Sequence, residues 1–333
     1  QATTANHHRT KASDCHAAGR FTLGYNLMKA SAPGKLFLVG EYAVLEGGPA
    51  LLTPVKQRAK VTIEAANKSQ VISLTTTAEK HSLDSALQHY PLLQATMAEL
   101  DCLEQLQNAQ LTIDTSSFFH RGIKLGLGSS AALTVALVNL FQPDSTANEL
   151  FAKAFRCHLA FQNGVGSGAD IALAAMDETI VFQRGESPIP MVLPDDLFML
   201  AIWSGEPAST VGYVAAVNQW RQHNPDTYLG HINDLSNTAS ECITALEKKD
   251  SQRVLTIIEQ YDRHLERLSS ASGANFYNQA HLKMRKKVEL THCAYKPSGA
   301  GGGDYGIAYS TNKQELLRLA DKLEREQIDT FIL

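Results

Sequence analysis

Cysteine is sparse in this sequence. The five residues, at 15, 102, 157, 242 and 293, form no CxxC pair and are too few for a disulfide framework, so a reducing compartment, by default the cytoplasm, is expected. Long apolar runs are missing as well. No stretch approaches the ~20 residues that a membrane helix requires, and the apolar segment after Gly128 carries Thr134 and Asn139. Neither sign of charge dominates. Against 34 Asp and Glu stand 30 Lys and Arg, giving a formal net charge of -4 and a pI near 6.3, which leaves no electrostatic footprint for nucleic acid or acidic lipid. The one dense basic run, 283–287, lies in a helical pattern and reads as a solvated helix face. With nucleic acid and membrane set aside, the expected partner is a small molecule, and the chain is expected to act as a monomer or homodimer.

What is present suits a globular protein: 333 residues at 44% hydrophobic can fill one large core or two of ordinary size. Residues 1–27 show neither structural period and lack the apolar centre of a secretory signal. They read as an extension that is not native, with periodic sequence starting at Met28. Alternation in "KLFLV", "AKVTIEA", "QVISLTT", "AQLTIDT" and "ETIVFQ" predicts strands, and 128–141 and 146–162 read as helices. Thr146 and Glu149 have capping-box spacing, after which Phe151, Ala154, Phe155, His158 and Leu159 share one face. The proline-rich stretch "GESPIPMVLPDD", at 185–196, marks the expected boundary between a segment 28–187 and a segment 188–333. The second segment opens on "LFMLAIW" and is helical between about 209 and 290. It closes as strand "HCAYK", loop "PSGAGGG", strand "DYGIAYS", helix 312–324 and strand "DTFIL". Asn312 and Glu315 should cap that last helix, with Leu316, Leu319, Ala320 and Leu323 turned inward.

Glycine concentrates in three distant places: "SAPGKLFLVGEYAVLEGG" (31–48), "KLGLGSS" (124–130) and "KPSGAGGGDYG" (296–306). A small-residue turn running into a helix leaves N–H groups unpaired where the helix dipole favours negative charge, so phosphate is its natural occupant. Three such loops imply a polyanion approached by several backbones; taken alone, 298–303 also reads as a plain hairpin turn. Residues 126–131 fit the G-x-G-x-x-A form of a dinucleotide fingerprint, but the preceding strand ends near Thr115 and "SSFFHRGIK" intervenes, which argues against a dehydrogenase. No G-x-x-x-x-G-K-[ST] occurs, so a Walker A nucleotide site is absent.

"SAPGKLFLVGEYAVLEGGPAL", "GLGSSAA" and "SGAGGGD" resemble the three ordered motifs of the GHMP kinases, over essentially everything from Met28 onward. The details lean to the phosphomevalonate kinase branch: "GEYAVLEG" where mevalonate kinases typically have histidine after the glutamate, then "GSGAD", "WSGEPAST" and "KPSGAGGGDYGIA". The resemblance implies a two-domain α+β fold, ribosomal protein S5 domain 2-like followed by ferredoxin-like, and phosphorylation of 5-phosphomevalonate with ATP and Mg²⁺. Mevalonate kinase activity on a hydroxyl, and a catalytically silent ligand-binding protein on the same fold, are the alternatives.

By the same resemblance, Lys124, Gly126, Leu127, Gly128, Ser129, Ser130 and Ala131 cradle the ATP phosphates, with Ser130 the metal ligand. Ser129 and Ser130 could equally cap the following helix. Asp170 would orient the acceptor and Lys35 would touch both Asp170 and the acceptor phosphate; Ser167 and Asp170 also have plain capping-box spacing. Tyr42, Ser167, Gly168, Ser209 and Thr210 would line the acceptor, the last two being equally suited to capping a helix. Gly299, Ala300, Gly301 and Gly302 would close on the transferred phosphate, while Asp304 orders its own turn. Mevalonate kinases carry a metal-binding glutamate eleven residues before the aspartate, an offset that Leu159 occupies here. His158 and Gln162 are near it and are poor substitutes, His158 reading as a packed face residue.

Overall fold

The computed structural model describes residues 27–333 apart from 163, 165 and 209, and the side chains at 210 and 211 also fall outside the description. The expectation for residues 1–27 therefore lies, but for Leu27, outside the described residues. The first half of the chain forms strands β1 (Met28–Val39), β2 (Ala50–Ala65), β3 (Gln70–Leu74) and β4 (Ala78–Ser82), then helices α1 (Leu83–His89) and α2 (Pro91–Leu100). Next come β5 (Ala109–Asp114), a short hairpin of β6 (Phe119–His120) and β7 (Ile123–Lys124), and helices α3 (Ser129–Phe141), α4 (Ala147–Phe161) and α5 (Ala169–Met176). Strands β8 (Ile180–Phe182) and β9 (Ile189–Pro190) complete the half. The second half holds β10 (Phe198–Trp203), α6 (Thr210–His223), α7 (Pro225–Glu247), α8 (Ser251–Ser272), α9 (Gln279–Glu289), β11 (Ala294–Pro297), β12 (Tyr305–Ser310), α10 (Lys313–Arg325) and β13 (Thr330–Ile332).

The first sheet has seven strands in the order β4-β3-β5-β2-β8-β9, with β1 paired along β2. Strand β2 is its spine. Its residues alternate, with Ala59, Val61 and Ile63 almost wholly buried and Lys60 and Glu64 outward, so period 2 sets which face packs. The sheet is antiparallel except where β3 meets β5, which rules out the βαβ frame a dinucleotide fingerprint needs. Helix α3 lies against β1 and β2 and is buried on nearly all sides, in keeping with a sequence that is apolar around most of the helix. The second sheet is β11-β12-β10-β13. Its α10 is capped by Asn312 and buries Leu316, Leu319 and Leu323 as expected. One continuous apolar cluster joins the halves, running from Leu36 and Val135 to Leu265 and Tyr309. The architecture is the mixed α+β one expected. The capping box at Thr146 and Glu149 forms in full.

Two stretches differ from expectation. Residues 78–100 form a strand and two helices that the alternation did not reveal, because β4 is polar and largely exposed and so carries no hydrophobic period. The proline-rich span 185–196 contains β9, which pairs with β8 and keeps the first sheet going to Pro190.

Candidate active site

Strand β1 pairs with β2 along one edge, and the other edge is where the three glycine loops meet. The Lys35 N–H donates to Leu127 O at 2.9 Å, which joins the first loop to the second. The Phe37 N–H donates to Ser298 Oγ at 2.9 Å and that hydroxyl donates back to Phe37 O at 3.0 Å, which joins the first to the third. Tyr309 donates to Leu38 O at 3.2 Å, and Tyr261 accepts from Gly40 N–H at 2.9 Å while donating to Glu41 O at 3.0 Å. An open strand edge is thus satisfied by the backbone of the second loop and by side chains from the second half instead of by another strand.

The second loop leads into α3 through Gly128, whose left-handed backbone (φ 79°) makes it the N-cap. Ser129 and Ser130 are therefore the first two helical residues and do not cap the helix; no side chain does. The first intrahelical bond runs from Ala132 N–H to Gly128 O at 3.1 Å, which leaves the N–H groups of Ser129, Ser130 and Ala131 without helical partners at the positive end of the dipole. Gly126 adopts φ 67°, and a Cβ there would lie 1.9 Å from Asp304 Oδ2, so only glycine lets the third loop lie across the second. Lys124 is exposed at the end of β7. Asp304 does more than order its own turn. Its carboxylate accepts from Ala208 N–H at 3.0 Å and its N–H donates to Glu206 O at 2.7 Å. Burial raises its pKa, against the Ala208 N–H and the charges of Lys35 and Lys124.

Lys35 lies on β1 with its stem along Gly128 and its ammonium 4.8 Å from the Phe37 ring centroid, close to Gly299. Asp170 is the second residue of α5, which begins after Gly168 (φ 86°). Ser167 does not form a capping box with it; its hydroxyl accepts from Ala169 N–H at 3.3 Å. No ion pair joins Lys35 to Asp170 among the described residues. His158, on α4, has its Nε2 3.4 Å from Ser130 Oγ. Burial lowers the His158 pKa and the Asp170 carboxylate pulls it back up; α3, α4 and α5 pack pairwise on one another, which brings Ser130, His158 and Asp170 into one region. Leu159 is half-buried, and Gln162 reaches toward Gly166. The sequence reading of His158 as a packed face residue agrees with its burial; its neighbours across α3 and α5 could not be read from its own helix.

Tyr42, expected to line the acceptor, is instead buried with φ 61°, stacked on Phe276 at 4.6 Å and donating to Ala300 O at 2.7 Å. Its hydroxyl is committed to the third loop. That loop does connect a hairpin, since Pro297 faces Gly306 and Ser298 N–H donates to Tyr305 O at 2.9 Å. It is no tight turn, however. Gly299 N–H donates to Glu41 Oε1 at 3.3 Å, Gly302 N–H donates to Phe276 O, and Gly302 O accepts from Asn278 Nδ2 at 2.9 Å. The N–H groups of Ala300 and Gly301 are left without protein partners among the described residues. Ser209 lies outside the described residues; Thr210 opens α6, its side chain likewise outside.

These features fit a nucleotide triphosphate tail: free first-turn N–H groups on α3, glycine backbones within reach, and lysines 35 and 124 nearby. For Mg²⁺ the site offers one hard hydroxyl oxygen on Ser130. Among the described residues no group of three His, Cys, Asp or Glu is arranged to hold a metal alone. That suits an ion which keeps water and phosphate oxygens around it. No described helix is long and apolar enough to cross a membrane.

No family model matches the chain. A phosphomevalonate kinase from Streptomyces sp. (strain CL190) is 28% identical over 340 residues, spanning 86% of this chain and 91% of that one. A mevalonate kinase from Aeropyrum pernix is 27% identical over 259 residues, spanning 73% and 78%. The structure of Streptococcus pneumoniae phosphomevalonate kinase in complex with phosphomevalonate and AMPPNP superposes with a TM-score of 0.77 at 23% identity, covering 92% of this chain and all of that one. Sequence relatives and fold together place the chain in the GHMP kinase superfamily, as the three motifs implied.

Proposed function

We propose, proceeding from that superfamily placement, that the protein is an ATP- and Mg²⁺-dependent kinase that transfers a phosphoryl group to the terminal phosphate of 5-phosphomevalonate, yielding ADP and 5-diphosphomevalonate. The observation that carries this reading is the convergence of all three glycine loops on the free edge of β1, beside the region that holds Ser130, His158 and Asp170. Such a convergence supports a site for a polyphosphate and not for a nicotinamide cofactor. The expected division near residues 187 and 188 belongs to the same reading, with the nucleotide held mainly by the first segment.

In phosphoryl transfer there is little covalent work for the protein, so positioning and charge neutralisation carry the rate. The α3 first turn binds the nucleotide phosphates through its N–H groups, and Lys124 adds charge at the mouth. Ser130 would hold the metal, which when bound neutralises charge on the phosphate oxygens. Asp170 orients the incoming phosphate oxygen of the acceptor. Lys35, a point charge at the strand edge, suits an anionic acceptor. Ser167 and Gly168 set the entry to α5 and hence the place of Asp170, and the third loop covers the transferring group through its two free N–H groups.

Mevalonate kinase is the second reading, favoured by the Aeropyrum relative. An acceptor screen with ATP and Mg²⁺ separates the two. With 5-phosphomevalonate the product should show a ³¹P β-phosphate signal and stoichiometric ADP. A phosphomonoester formed from mevalonate would overturn the first reading, and ATP binding without turnover on any acceptor would leave only the silent one.

A further inference from the structure

Glu41 and Tyr42 come just after β1, past Gly40, and these two neighbours hold two neighbours of the third loop with opposite polarity. Glu41 Oε1 accepts from Gly299 N–H at 3.3 Å, and the Tyr42 hydroxyl donates to Ala300 O at 2.7 Å. Behind them Lys296, on β11, places its ammonium 2.5 Å from the same Oε1 and 3.4 Å from Phe37 O. The Lys296 and Glu41 side chains are 0% and 2% exposed, and Glu41 Oε2 has no hydrogen-bond partner among the described residues.

As a source of stability this arrangement is poor. A buried ion pair repays its desolvation only when its remaining lone pairs are satisfied, and apolar replacements of similar volume are commonly as stable or more so. An orphaned carboxylate oxygen adds a further cost. What the charges provide is an acceptor at one fixed point, where it holds the Gly299 N–H. Gly299 in turn sits beside Lys35. We infer that Glu41, Lys296 and Tyr42 are positioning residues, a clasp that sets the peptide joining residues 299 and 300 next to Lys35, so that the free N–H groups of Ala300 and Gly301 are preset for the transferring phosphoryl group. The identity of that group rests on the kinase reading; the clasp itself is geometry.

Two double variants separate positioning from stability. In Glu41→Leu with Lys296→Met, no charge is left unpaired but Gly299 loses its acceptor. In Glu41→Gln with Lys296→Met, the acceptor oxygen is kept. The leucine double variant is expected to unfold within a few degrees of the wild type yet lose kcat by about a hundredfold with KM for ATP within about threefold, since a misplacement near 1 Å costs about that much. The glutamine double variant should recover at least about tenfold of that loss. Amide exchange without substrate reads the clasp independently, and Gly299 should exchange at least about tenfold faster in the leucine double variant than in the glutamine one. Equal exchange in the two, or wild-type turnover in the leucine double variant, overturns the inference. Should that variant not fold, Tyr42→Phe takes its place, with an expected loss of kcat of about tenfold at unchanged KM for ATP; undiminished turnover would then be the overturning result. A wild-type protein that phosphorylates nothing defeats the kinase reading alone, because the exchange comparison stands without it.

Discussion

The hydroxyl of Ser298 holds both backbone groups of Phe37, accepting from the N–H at 2.9 Å and donating to the carbonyl at 3.0 Å. One side chain thus takes the part of a neighbouring strand at the edge of β1, and it comes from the far end of the sequence. The consequence is that the glycine loop beginning at residue 299 inherits its position from the first sheet as well as from its own hairpin.

Replacing Ser298 with alanine should therefore destabilise the fold by about 2 kcal/mol, because the buried Phe37 N–H is left without an acceptor. Urea denaturation measures this. The Phe37 carbonyl keeps Lys296 at 3.4 Å, so most of the loss traces to the N–H. A variant as stable as the wild type would mean that the edge is satisfied in some other way.

Asp170→Asn keeps the shape of the second position of α5 and removes the charge that orients the acceptor. Turnover should fall by about a thousandfold with KM for ATP nearly unchanged, since the residue acts on the acceptor side. Near wild-type kcat would remove Asp170 from the mechanism and shift attention to His158.

Gly126→Ala meets two obstacles at once. Its backbone is left-handed (φ 67°), and the new methyl would lie 1.9 Å from Asp304 Oδ2. The expected result is a loss of about 2 kcal/mol of stability together with a raised KM for ATP, as the third loop is pushed off the second. Pairing it with Asp304→Gly should return part of the stability, measured by thermal unfolding. If the second change brings nothing back, the two loops are not in contact in solution.

How much of this was legible in the sequence depended on whether the signal was local. Alternation located β1, β2, β3 and β5, and spacing located α3, α4 and the Asn312 cap, because each reports on its own neighbours. The three loops were visible as glycine clusters. What they do to one another was not: Glu41 and Lys296 are separated by most of the chain, and a buried lysine has the same letter as a solvated one. Tyr42 was placed in the acceptor site by the resemblance of the first motif, in which it lies, yet its left-handed backbone turns it onto Phe276 and Ala300. The paired serines looked like caps until Gly128 took that position.

Two buried groups in the second half should give opposite pH dependences over the same interval. His281 is fully buried, with Nε2 at 3.0 Å from Gly303 O and Nδ1 at 2.9 Å from the Tyr295 hydroxyl. A carbonyl only accepts, so Nε2 carries the proton and Nδ1 accepts from tyrosine, which fixes a neutral imidazole. Burial pushes its pKa down to about 4, from the ordinary imidazole value near 6.5. Between those values the unfolded chain binds more protons than the folded one, so this group makes stability rise with pH, by about 3 kcal/mol in all. Asp262 runs the other way. Burial pushes its carboxyl from 3.8 up to about 6, even with Tyr277 and Arg285 pulling it back. Here the folded state holds the proton more tightly, and stability falls as pH rises through that range. Relative to the wild type, His281→Gln should therefore lose the part of the stability curve that climbs between about pH 4 and 6.5, and Asp262→Asn the part that descends between about pH 4 and 6. Denaturant midpoints measured across pH 4 to 7 provide the check. A His281→Gln curve that merely runs parallel to the wild type would show that the imidazole is not held neutral in the folded protein.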